Sequence, residues 1–207
     1  MTRGRGRPGY DVESLLAVAV EVFNERGYEG TSMEDLSRRL GIAKSAIYHH
    51  VDSKEALLHL ALDRALDGLV EVADEARARE DPAIARLEHL IRGSVRVLQQ
   101  RLPYVTLLLR VRGNTEVERA ALERRRHFDR YVAELVTQAE RDGDVRPDVD
   151  PALTARLLFG MVNSVAEWYR PGQPRSDQDL ADAVCRIAFD GLRVRRRKRA
   201  GAEGQPT

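Results

Sequence analysis

The chain has 207 residues, a formal net charge of +1, 43% apolar content and 32% charged content, with only 5% aromatic residues. That is enough apolar material for a real core without covalent staples. The abundance of Ala, Leu, Glu and Arg favours helices, so an all-α fold of about nine helices is expected. The balance excludes a molecule that holds nucleic acid by its overall field, so any such footprint must be local.

A single cysteine, Cys185, excludes an internal disulfide framework, and the polar, basic opening residues lead to the expectation of a reducing cytoplasm. Charged residues interrupt every hydrophobic run well short of the roughly 18 residues of a membrane span, so no membrane partner is expected. No zinc-ligand spacing, no paired carboxylates in an apolar setting and no nucleophile with a base stand out. Neither a metal, a cofactor nor an enzyme is expected.

Residues 1–10 carry Arg3, Arg5 and Arg7 between glycines and close on Pro8-Gly9, a composition of a flexible basic arm. The Arg-Gly-Arg-Pro core resembles the AT-hook motif. It stands between two readings, a solubilising terminus and an arm in the minor groove of DNA.

From Asp11 the pattern changes. Val12, Leu15, Leu16, Ala19, Val22 and Phe23 recur at three- and four-residue steps and predict an amphipathic helix that ends at Gly27. Thr31 and Glu34 have the spacing of a capping box, predicting a second helix to about Leu40. Gly41 permits a sharp turn, and Ala43 to His50 form a third helix. Ile47 and Val51 of that stretch face Leu36 and Leu40, leaving Ala43, Lys44, Ser45, Tyr48 and His49 pointing outward.

That outward face holds one cation, small side chains, a phenol and an imidazole. Small residues let a helix approach base edges, Lys44 can bond a guanine or a phosphate, and Tyr48 and His49 can donate to phosphates. Charge alone does not decide the point. Residues 1–55 hold eight Arg and Lys against nine Asp and Glu, so the positive groups must be concentrated on one side.

The runs Thr31…Met33-Glu34-Asp35-Leu36, Gly41-Ile42-Ala43-Lys44-Ser45…Ile47-Tyr48-His49-His50 and Ser53-Lys54-Glu55-Ala56-Leu57 resemble the N-terminal signature of the TetR family of bacterial transcriptional regulators. Val51 departs from it, standing where the family more often has Phe. The resemblance implies a homodimeric, all-α repressor with an N-terminal three-helix, helix-turn-helix DNA-binding domain. It also implies a C-terminal helical domain for effector binding and dimerisation. Carried over, Thr31, Lys44, Ser45, Tyr48, His49 and Lys54 fall on positions that touch DNA. Lys54 also lies in the first turn of a helix whose amides can point at a phosphate.

The domains expected are an arm over 1–10, a DNA-binding domain over 11–52, an effector-binding and dimerisation domain over 53–194, and a disordered basic tail over 195–207. Ser53 caps a long fourth helix through Leu66, Leu69, Val70 and Ala73. Pro82 opens a fifth, Pro103 a short sixth, and a seventh runs from about Thr115 to Arg141. Arg124, Arg125 and Arg126 interrupt its core face. Either they form a solvated ridge, or one or two of them, with Arg110 and Arg112, meet an anionic ligand.

Pro151 starts an eighth helix, and Asp177 to about Val194 a ninth. Both carry more apolar surface than one core contact consumes, which suits a dimer interface through Leu157, Met161, Val165, Leu180, Val184, Ile187 and Ala188.

The run Gln138…Glu140…Gly143…Arg146-Pro-Asp-Val-Asp150 and Trp168-Tyr169-Arg170-Pro171-Gly172 resemble TetR regulators of phenylacetate, fatty-acid or steroid catabolism that respond to acyl-coenzyme A. An apolar pocket of Leu66, Leu69, Tyr104, Leu108, Phe128, Tyr131 and Trp168, with Arg110, Arg112 or Arg170 at its mouth, would suit an acyl or aryl group joined to phosphates. The same side chains could equally fill a core. The leading expectation is a repressor on a palindromic operator, released by a small-molecule effector such as an acyl- or aryl-CoA thioester. A drug-responsive repressor of an efflux pump and a ligand-independent architectural DNA-binding protein are the alternatives.

Overall fold

The computed structural model describes residues 11–172 and 177–193, without the side chains of 177–179. The Arg3, Arg5 and Arg7 arm and the tail over 195–207 lie outside the described residues. Among those described there are nine helices and no strand: α1 (Val12–Arg26), α2 (Met33–Leu40), α3 (Lys44–Tyr48), α4 (Lys54–Ala78), α5 (Ala83–Gln100), α6 (Leu102–Arg110), α7 (Glu116–Arg141), α8 (Pro151–Trp168) and α9 (Asp177–Leu192).

Caps set most of these ends. Asp11, Ser53, Thr115 and Asp150 each accept a hydrogen bond from a first-turn amide of α1, α4, α7 and α8. Gly41 takes the left-handed conformation, φ +67°, that closes α2 and lets the chain turn into α3. The capping box of α2 sits one residue later than the sequence spacing suggests. Ser32 accepts from the Asp35 amide at 3.2 Å, and the Asp35 carboxylate accepts from the Ser32 amide at 3.0 Å.

Leu15, Leu16, Phe23, Leu36, Leu40, Ile47 and Val51 bury together, so α1–α3 share one small core with the start of α4. Val12 and Val70, expected on inward faces, are each 40% exposed, since the apolar stripes of α1 and α4 are narrower than their runs of apolar residues. Helix α4 runs from this core into the larger body, where it packs on α5, α6 and α7; α5 in turn packs on α8 and α9. Gly68 and Gly93 set the α4–α5 approach: a Cβ on Gly93 would lie 2.4 Å from Val72 Cγ1, and one on Gly68 2.8 Å from Val97 Cγ1.

Candidate nucleic-acid interface and effector cavity

Helix α3 presents Ala43, its N-cap residue, with Lys44, Ser45, Tyr48 and His49 on an exposed surface, while Ile47 is fully buried behind them. The cations around this face are already engaged. Arg26 and Arg38 both pair with Asp35, at 3.3 and 3.2 Å, and Arg39 holds both oxygens of Glu25. Lys44 pairs with Glu34 across the α2–α3 turn, and its ammonium lies 6.0 Å from the Tyr48 ring centroid. The pairing holds the Glu34 carboxyl below its usual range and raises the Lys44 ammonium.

Two residues carried over as DNA contacts are placed elsewhere. Thr31 is only 2% exposed, and its hydroxyl donates to the Gly27 carbonyl at 2.7 Å, tying the end of α1 to the α2 entry. Lys54 donates to the carbonyls of Tyr28 and Thr31 at 2.9 and 2.8 Å, and its ammonium lies 4.1 Å from the Tyr28 ring centroid. Both act inside the head, because the α1–α2 loop folds back over the start of α4.

In the body, a narrow apolar chamber lies between α4, α5, α6, α7 and α8. Leu69, Leu98, Val105, Leu108, Leu109, Phe128, Phe159 and Val162 wall it, and Arg125, Asp129 and Asn163 supply polar groups. The space that the centre of a water-sized sphere can occupy is ≈ 30 Å³. Two open grooves share Arg125, Gly160 and Asn163. One, ≈ 910 Å³, runs along α6 and α8 past Arg110, Arg112 and Arg170 to Asn24 of α1; the other, ≈ 590 Å³, lies between α7 and α8 with Arg126, Arg130 and Arg156. Burial pushes the Asp129 carboxyl above the usual range, opposed by Arg125 and then Arg156.

Leu69, Leu108 and Phe128 thus line the chamber, and Arg110, Arg112 and Arg170 line the larger groove, as grouped from the sequence. Four other expected pocket residues do not. Leu66 is core at 2% exposure, and Tyr104 is half-buried near Glu13 and Arg64. Tyr131 accepts from Arg86 at 3.1 Å and packs under Arg77, away from the chamber. Trp168 is 55% exposed on the outer face of α8.

Asp129, Phe159 and Asn163 were not expected at the cavity, whereas Arg125 belongs to the triplet read as either a solvated ridge or a contact to an anionic ligand. Their signal was two four-residue steps, Arg125 to Asp129 and Phe159 to Asn163, that put a polar group on an apolar face of each of two successive helices. The arginine triplet divides its work: Arg124 pairs with Asp63 and Asp67 of α4 at 2.5 and 2.7 Å, Arg125 reaches the cavity, and Arg126 pairs with Glu123 at 2.9 Å.

Of the residues expected at a dimer interface, Leu157 and Ile187 are 62% and 70% exposed. Val165, Val184 and Ala188 are buried in the chain's own core, and Met161 and Leu180 are half-buried against it. Leu153 and Trp168 extend the exposed stripe of α8, lying within about 60° of Leu157 at 100° per residue.

A small helix-turn-helix head joined by one long helix to a larger helical body with an internal cavity is the architecture of a DNA-binding regulator. Residues 15–61 match the family described as bacterial regulatory proteins, tetR family. Residues 80–192, more than half the chain, match the tetracyclin repressor-like C-terminal domain. The chain belongs to the TetR family of bacterial transcriptional regulators, whose matched members are regulators and not enzymes.

Among its relatives, the HTH-type transcriptional repressor KstR2 of Rhodococcus jostii is 30% identical over 198 residues, covering 90% of this chain and 93% of that one. The crystal structure of SCO3833, a TetR regulator of Streptomyces coelicolor A3, is 56% identical with TM-score 0.82, covering 89% of this chain and 94% of its own. AibR, solved in complex with isovaleryl coenzyme A and operator DNA, is 26% identical with TM-score 0.73, over 86% of this chain and 97% of its own. No described helix is long and apolar enough to cross a membrane.

Proposed function

We propose that the chain is a cytoplasmic homodimeric repressor that sets two α3 helices in successive major grooves of a palindromic operator and is released by an acyl- or aryl-CoA thioester. In this reading residues 11–52 are the reading head and 53–194 the effector and dimerisation body. The observation that carries it is the convergence of Arg110, Arg112, Arg125 and Arg170 on grooves that open from an apolar chamber. An acyl group needs the second and a nucleotide's phosphates need the first. That AibR was crystallised with isovaleryl coenzyme A and operator DNA supports the same chemistry.

The geometry supplies a route from cavity to head. Asn24 of α1 donates through Nδ2 to the Pro103 carbonyl at one end of α6, at 2.8 Å. Its own carbonyl accepts from Arg110 Nη1 at the other end, at 2.6 Å. An anion that recruits Arg110 weakens one of these two ties. The effector acts only through its preference for the state in which the heads sit at the wrong spacing.

Operator binding followed by fluorescence anisotropy tests the proposal. A short acyl thioester such as butyryl-CoA is expected to release the protein where the free acid and CoA alone do not, and Arg112→Ala with Arg125→Ala to weaken the response about ten-fold or more. Release by no thioester would remove the effector assignment.

A further inference from the structure

Resting on the thioester reading, we infer that the chamber selects a short acyl chain, and that Phe159 sets the length it accepts. The orientation follows from how the polar groups are distributed. Leu109, Arg125 and Asn163 line both the chamber and the α6–α8 groove that carries Arg110, Arg112 and Arg170, so they mark the throat. The far end offers Leu69, Leu98, Val105 and Leu108. Its one hydroxyl, on Ser94, donates to the Leu90 carbonyl at 2.8 Å. Hydrocarbon therefore points inward, and the thioester sits at the throat, where Arg125 and Asn163 can donate to its carbonyl.

The size limit comes from the walls. The ≈ 30 Å³ open to a water-sized sphere's centre amounts to roughly two waters, about the room of two or three methyl or methylene groups beyond the thioester carbon. That suits a propionyl or butyryl group and leaves no place for a phenylacetyl ring, a long fatty chain or a steroid. Phe159 is the partition. It packs edge-to-face on Phe128, centroids 5.1 Å apart and planes at 89°, and lines both the chamber and the neighbouring ≈ 590 Å³ groove. Both rings are buried, Phe128 at 6% and Phe159 at 9% exposure, so neither can swing out without losing its packing. Shortening Phe159 joins the two spaces.

Isothermal titration of the full chain with acetyl-, butyryl-, isovaleryl-, hexanoyl-, octanoyl-, phenylacetyl- and palmitoyl-CoA tests this. Affinity should rise about four-fold per added methylene while the chamber fills, peak at butyryl, and fall from isovaleryl onward. Phe159→Leu, the milder change and the one expected to fold, moves the peak to hexanoyl or octanoyl. Phe159→Ala admits phenylacetyl as well, and Val105→Phe moves the peak back to acetyl. A parent affinity that keeps rising through octanoyl and palmitoyl, or a peak that stays in place in Phe159→Leu, overturns the inference while the thioester reading stands. Binding of no thioester at all overturns both.

Discussion

Lys54 spends its charge on two backbone carbonyls and one aromatic face, whereas Lys44, one helix earlier, spends it on a single exposed carboxylate that a phosphate can replace. The two lysines should therefore fail differently. Lys44→Ala is expected to weaken operator binding about ten-fold and, if Lys44 meets a phosphate, to reduce the salt slope by about one. Lys54→Ala should cost about 2 kcal/mol of stability, the loss of charge-assisted hydrogen bonds to a folded loop, and leave the salt slope alone. Thermal melts beside salt-dependent anisotropy separate the two, and an unchanged melt in Lys54→Ala would return that residue to the DNA face.

Cys185 is a second residue whose surroundings decide its chemistry. Burial raises its thiol from 9.0 to about 11, and Arg92, the next largest influence, opposes the shift. At pH 8 only about one folded thiol in a thousand is thiolate, so a disulfide reagent should react on unfolding rather than with the native protein. Because the folded value is the raised one, this group costs stability as pH climbs from 9.0 towards about 11, and denaturant midpoints over that window should fall less in Cys185→Ala.

Among elements, the α6–α7 connection rests on one buried carboxylate. Glu118 is 5% exposed and accepts from the amides of Arg112, Gly113 and Asn114 at 3.1, 2.7 and 2.8 Å. Its removal leaves three amides without their acceptor at the point where Arg112 enters the groove. Glu118→Ala should lower stability by about 3 kcal/mol or more and weaken effector response even when operator binding persists. Calorimetry and effector titration check the two effects. From the sequence Glu118 is one acid among many; the loop that folds around it, with Gly113 at φ +90°, is a tertiary product.

The helices themselves were mostly legible because each depends on near neighbours. Caps at Asp11, Ser53, Thr115 and Asp150, prolines at the starts of α5, α6 and α8, and repeated apolar steps are local signals. The one-residue displacement of the α2 box, from Thr31 to Ser32, has its cause just outside the helix, four residues before Thr31. Thr31 is drawn inward by the Gly27 carbonyl, which leaves the next hydroxyl to cap.

At the scale of the whole molecule, Leu153, Leu157 and Trp168 on α8, with Ile187 on α9, are large apolar side chains left exposed to water. In the proposed homodimer, Leu157→Glu combined with Ile187→Glu should leave the fold intact and produce monomers that bind an operator half-site weakly. Light scattering beside operator titration reads both quantities, and a dimer that survives the double change would place the interface elsewhere.

Composition and periodicity by themselves determined an all-α chain, the nine helices of the described residues, the helix-turn-helix and the outward face of α3, since these follow from spacing along one chain. Only the tertiary structure decided which apolar residues are core and which are surface. It turned Val165, Val184 and Ala188 inward and left Leu157 and Ile187 outside. It likewise took Tyr131 and Trp168 away from the cavity and brought Arg125, Asp129, Phe159 and Asn163 to it. Helical period reports that a face is apolar; which neighbour covers that face is set by the packing angles of other helices, and those are not encoded in any one segment.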